Sequence, residues 1–73
     1  MNVYEKIIEI GKNFNHKIYV IFEIKGNTGR IIDYTPDKNE VQSYFRIAKK
    51  NGHKIEAVEY DPADGLVYNV RAI

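Results

Sequence analysis

The residues in this chain whose types could do chemistry are few. Asp61 and Asp64 stand three apart in the stretch YDPADGLVY, residues 60–68, with Pro62 between them and Gly65 after. Two carboxylates on a turn are the beginning of a calcium loop. Such a loop also needs oxygen ligands at alternating positions and a distal glutamate, and this stretch has neither. Its residue types match a hairpin turn. Pro62 presets φ at the first turn position, Asp61 can accept from backbone N–H groups inside the turn, and Gly65 takes the left-handed conformation that closes it. A four-residue loop of this kind sets Asp61 opposite Leu66. Continuing outward, Tyr60 faces Val67, Val58 faces Asn69, Ala57 faces Val70 and Glu56 faces Arg71, with the charge pair and the apolar pair Ala57–Val70 on opposite sides.

The other chemical candidates read the same way. His16 and His53 each begin the tripeptide His-Lys-Ile. Brought together they could ligate a metal, but each stands at the entry to a strand and reads as solvated. Ser43 is the only serine and there is no cysteine. A nucleophile needs a base and an orienting group, and no such set is evident. Gly26-Asn27-Thr28-Gly29 lacks the Lys-Ser/Thr of a phosphate loop and lies between two strands instead of before a helix. It reads as a three-residue hairpin loop, Asn27 to Gly29, with Gly29 left-handed. That register sets Glu23 against Asp33, an unfavourable pair. The expectation is a non-enzyme with no metal, no cofactor and no small-molecule substrate.

Around these residues the pattern defines six elements. VYEKIIEIGKNF, residues 3–14, places Val3, Ile7, Ile10 and Phe14 on one helical stripe, with Asn2 as N-cap. HKIYVIFEIK and RIIDYT read as a hairpin. Thr35-Pro36-Asp37 opens a second helix, with Thr35 as cap and Pro36 at the first position. Val41, Tyr44, Phe45 and Ala48 form its apolar stripe, and Asn51-Gly52 ends it in a left-handed cap. HKIEAVEY and LVYNVRAI form a second hairpin. The fold class is therefore α+β, helix-strand-strand-helix-strand-strand, with a four-stranded antiparallel sheet and two helices. The 73 residues make one domain.

The recurrence of His-Lys-Ile at an offset of 37 also aligns Ile10 with Ile47, Lys12 with Lys49 and Ile21 with Val58. Two readings fit, a tandem duplication of a helix-hairpin unit, residues 1–36 and 37–73, and two amphipathic helices feeding two strands that look alike by pattern alone. The consequence of duplication would be a pseudo-two-fold axis, with equivalent strands adjacent at the centre of the sheet.

Function is approached mainly by exclusion. The formal net charge is +1, without the basic excess usual in a nucleic-acid binder. No apolar run approaches the roughly 20 residues of a membrane span. MNVYEKII does not read as a signal peptide. These features, with the lack of cysteine, fit the cytoplasm. If Ile18, Val20, Phe22 and Ala57 cover the helices, the opposite sheet face carries Tyr19, Ile21, Ile31, Val58, Tyr60 and Val67. A contiguous apolar face of this kind marks an interface, the alternatives being that one helix covers each face or that Lys25, Glu56 and Arg71 break the patch. The expectation is a small module that binds a protein partner or itself, of a type that would suit an accessory or inhibitor protein of a mobile element. The alternative is single-stranded nucleic-acid binding, with bases stacked on the aromatic sheet face and the phosphate backbone met by Lys38, Arg46, Lys49 and Lys50 of the second helix.

Overall fold

Residues 18–22, Ile-Tyr-Val-Ile-Phe, are apolar without interruption. Side chains alternate across a strand, so an unbroken run offers apolar surface on both faces. In the computed structural model, which describes residues 3–73, this run opens β1 (Ile18–Lys25), and all five of its residues are buried. The complete order is α1 (Val3–Gly11), β1, β2 (Thr28–Thr35), α2 (Lys38–Asn51), β3 (Ile55–Asp61) and β4 (Leu66–Val70). The strands form one antiparallel sheet in the order β2-β1-β3-β4. The expected α+β fold is therefore present, with β1 and β3 central. Among the described residues no helix is long and apolar enough to cross a membrane. Asn2, expected as the first N-cap, lies outside the described residues.

One helix covers each face of the sheet. Ile18, Val20 and Phe22 join Ile7 of α1 and Val58 and Tyr60 of β3 in one core cluster. Tyr19 and Ile21 join Val41 of α2 and Ala57 of β3 in another. The β1–β3 register explains this division, since Val20 lies opposite Val58 and Ile21 opposite Ala57. The expected face mixed the two sides. Tyr19 and Ile21 point to α2, whereas Val58 and Tyr60 point to α1, and neither group is an open surface.

This placement also bears on the tandem repeat. The first strands of the two halves are adjacent at the centre, as duplication requires. A two-fold axis relating antiparallel neighbours runs normal to the sheet and keeps each face on its own side. It would put both helices on one face. With α1 and α2 on opposite faces, no such axis relates the halves.

Local chemistry sets the boundaries. The second hairpin follows its expected register, with Asp61 opposite Leu66 and Ala57 opposite Val70. The ladder stops there, so Glu56 and Arg71 lie beyond its last pair. In the first hairpin the turn is Gly26-Asn27, not Asn27 to Gly29. Lys25 pairs with Thr28, and Gly26 alone has positive φ, at 59°. Glycine with positive φ at the first of two central residues matches a type II′ turn, which suits the twist of a hairpin. Glu23 consequently faces Arg30, and a bulge between Ile21 and Phe22 in the pairing leaves Asp33 opposite Ile21. The unfavourable Glu23–Asp33 pair does not form.

Helix α2 is capped by Asp37, two residues later than expected, and its carboxylate accepts from the Asn39 N–H. Thr35 is buried just before it. Its hydroxyl accepts from the Asp37 N–H and donates to Glu40. At the other end Gly52 is left-handed, with φ 73°. His53 N–H bonds the Ala48 carbonyl at 2.9 Å, the long closing bond of a Schellman motif. Helix α1 ends earlier than its apolar stripe, winding down through bonds from Asn13 to Ile10 and from Phe14 to Gly11.

Gly11 is where α1 meets the sheet. A Cβ built on it would lie 2.1 Å from Cδ1 of Tyr60, closer than any real contact. Gly11→Ala should therefore destabilise the protein by about 1–3 kcal/mol through overpacking, although alanine is intrinsically the better helix former by about 1 kcal/mol. Urea unfolding decides the sign, and a more stable variant would mean that α1 does not press on Tyr60. Gly52→Val should cost about 1–2 kcal/mol through backbone strain alone, because nothing lies within 4 Å of the added Cβ. An unchanged melting midpoint would contradict the left-handed cap.

Candidate interaction surface

The ten residues singled out from sequence fall into three groups. Tyr19, Ile21, Val58 and Tyr60 are 9%, 0%, 0% and 5% exposed, beneath the two helices. Ile31 and Val67 are half-buried against the α1 cluster. Lys38, Arg46, Lys49 and Lys50 are exposed along α2. The first six form packing layers and present no shared surface. Burial, followed by a hydrogen bond to Glu59, raises the Tyr19 hydroxyl above the usual tyrosine range.

The apolar surface that is open lies elsewhere. Ile32 of β2 is 40% exposed and Ile47 of α2 is 59% exposed. Both line a cleft of about 170 Å³ with Tyr44, Ala48, Ile55, Glu23 and His53. Small-molecule pockets run to roughly 300–1,000 Å³, so this cleft has room for a side chain rather than a ligand of that size. Its wall is fixed by the Tyr44 hydroxyl, which donates to the Asp33 carboxylate and ties α2 to β2. That bond is the first cause of a raised Tyr44 pKa.

Sequence reasoning passed over this cleft although two signals were present. Ile31 and Ile32 are consecutive and cannot both point to one face of a regular strand. Ile47 lies off the Val41-Tyr44-Phe45-Ala48 stripe of its helix. Each is an apolar residue where the regular pattern calls for a polar one. The bulge in the β1–β2 pairing carries Ile32 to the α2 side, next to Ile47.

The electrostatics at this end are built on Glu23. Its carboxylate lies 3.8 Å from Lys25, 3.6 Å from Arg30 and 3.7 Å from His53. Its side chain is 15% exposed, while those of Lys25 and Arg30 are 77% and 78% exposed. The acid is enclosed and the cations face outward. Lys49, Lys50 and Lys54 belong to the same end, where β1 finishes, α2 finishes and β3 begins.

At the opposite end α2 begins with Asp37 and Glu40 about Lys38, and the β3–β4 turn carries Asp61 and Asp64, with Lys17 near enough to act on Asp64. Both turn carboxylates hold backbone. Asp61 accepts from the Ala63 N–H at 2.9 Å, and Asp64 accepts from the Leu66 N–H at 2.9 Å and from the Tyr68 hydroxyl at 2.9 Å. Gly65 N–H closes the loop on the Asp61 carbonyl at 2.8 Å. The two carboxylates make the turn. Leu66 and Tyr68, 54% and 45% exposed, stand beside it.

The Leu66 N–H and then the Tyr68 hydroxyl hold the Asp64 carboxyl below its ordinary value. A lowered folded-state pKa contributes stability that is present above the unfolded value and lost as pH falls through the folded one. Acidification should therefore loosen the tip. The Leu66 amide resonance should titrate with a midpoint below the usual aspartate range, and Asp64→Ala should abolish the titration. A midpoint at or above that range would contradict the hydrogen-bonded turn.

No protein-family model matches the chain, and neither a curated protein nor a solved structure does.

Proposed function

We propose that this is a protein-binding module without chemistry of its own, and that its contact surface is the cleft between α2 and β2. The observation that carries this reading is the convergence of Ile32 and Ile47 on one side-chain-sized opening. Single exposed apolar residues are ordinary on any surface, whereas adjoining ones around a concavity mark contact sites. The outward cations Lys25 and Arg30 define the partner's chemistry as an acidic segment carrying an aliphatic or aromatic anchor. The non-catalytic part of the reading is supported by how the carboxylates are engaged. Asp61 and Asp64 hold a turn, Asp33 holds Tyr44, and Glu23 is enclosed by cations.

One observation favours a second reading, contact with single-stranded nucleic acid. Lys38, Arg46 and Lys49 lie along one side of α2, away from Glu23, on which Lys25, Arg30 and His53 converge. The aromatic sheet face that was to stack bases is covered, so this reading would rest on the helix alone.

Fluorescence anisotropy separates the two. The probes are a labelled peptide alternating glutamate with leucine, its lysine counterpart, and a labelled oligonucleotide. The acidic peptide should bind more tightly at low salt, and the lysine peptide should not bind. Ile47→Asp should weaken binding at least tenfold, as loss of a central anchor does, with stability within about 0.5 kcal/mol of wild type. Binding of the acidic peptide unaffected by Ile47→Asp would overturn the cleft. Binding of the oligonucleotide alone, with a salt slope, would favour the second reading.

A further inference from the structure

The cleft and the β3–β4 turn are complementary. The cleft is a side-chain-sized, mainly apolar opening whose lining also includes Glu23 and His53, and Lys25 and Arg30 face outward where they pair with that Glu23. The turn is an acidic tip at the other end of the sheet, bearing the exposed apolar residues Leu66 and Tyr68. They also occupy opposite edges, since the cleft is on the β2 side and the tip belongs to β4, and the sheet order is β2-β1-β3-β4. The two surfaces therefore stand at diagonally opposed corners and cannot meet within one molecule.

We propose, resting on the cleft reading above, that the cleft's occupant is the β3–β4 tip of a second copy, with Leu66 as the anchor and Asp61 and Asp64 facing Lys25 and Arg30. The charge pattern argues for this occupant. Lys25 and Arg30 are exposed by more than three-quarters, and the Asp64 carboxylate on the tip is exposed as well. A juxtaposition of opposite signs orients the encounter and excludes the reversed approach, in which like ends meet. Leu66 belongs to neither core cluster, so its side chain is available to a partner without cost to the monomer's packing.

The contact joins two different patches, so it is heterologous. Each copy uses its cleft for one neighbour and its tip for another, and growth continues unless the rotation closes a ring. A tip seated in a side-chain-sized cleft buries less than the ~1,000 Å² of a stable interface. Association is therefore weak, rises with concentration and falls with salt.

Sedimentation velocity across a wide concentration range at low and high salt tests this, with circular dichroism melts showing that each variant is folded. Wild type should show a weight-average mass that rises with concentration, and less so at high salt. Ile47→Asp removes the cleft and Leu66→Lys removes the tip, so each alone should stay monomeric. Mixed in equal amounts, each supplies the patch that the other lacks. The mixture should form a dimer that does not grow further, because no second complementary pair remains. A two-fold dimer joined cleft to cleft or tip to tip would give no such capped product from these variants. A wild type monomeric at every concentration, or a mixture that fails to associate, overturns the proposal. If the wild type is monomeric while the acidic peptide still binds the cleft, the self-association fails and the cleft reading stands. If self-association persists in both variants, the contact between tip and cleft is overturned, and the peptide titration with Ile47→Asp decides the cleft reading separately.

Discussion

The fold depends on a central strand that must be covered twice. Ile18, Val20 and Phe22 face one way and Tyr19 and Ile21 the other, and none of the five is more than 9% exposed. Exposing either set would cost on the order of 1.5–3 kcal/mol for each large side chain. A helix on one face alone would leave the other set in water. The chain meets this demand by placing α1 and α2 on opposite sides of one sheet, with Val58 and Ala57 of β3 repeating the division next door. In a chain of this size the core is thin, so each layer depends on close approach. The contact of Gly11 with the Tyr60 ring is where α1 achieves it.

From that constraint the place of the proposed surface follows. With both sheet faces covered, exposed apolar residues are left at the margins, and Ile32 and Ile47 are two that adjoin around a cleft. Helix α2 reaches toward the β2 edge with Tyr44 and Ile47, and the bulge turns Ile32 to meet them. The two-residue turn at Gly26-Asn27 sets Glu23 against Arg30 in place of a repulsive Glu23–Asp33 pair, and the bulge beyond it puts Asp33 opposite Ile21, on the side where it holds Tyr44. A single extra residue in β2 thus shapes the cleft and fixes its wall, while the turn sets the charge beside it.

Much of the architecture was legible because local signals agreed with one another. Asp61-Pro62-Ala63-Asp64-Gly65 determined the second hairpin pair by pair, since turn chemistry alone sets that register. Gly52 ended α2 as its left-handed preference requires. The faces were not legible by the same route. The expected face joined Ile21 to Val58, as the offset between similar halves also does, whereas hydrogen bonding between β1 and β3 aligns Val20 with Val58. A shift of one residue moves every side chain to the other face. The unbroken run from Ile18 to Phe22 carried the correct answer, because a strand open to water on one side would alternate. The cleft was harder to read, since Ile32 and Ile47 come together only through the bulge and through tertiary packing.

Because the cleft and the tip are distant in the monomer, amide chemical shifts followed on dilution test the account most directly. Resonances of Ile32, Ile47 and Ile55 should move together with those of Asp64 to Leu66. Those of Val20 and Ile21, sealed between the helices, should stay fixed. Shifts confined to Lys38, Arg46 and Lys49, or an absence of any concentration dependence, would contradict contact between cleft and tip.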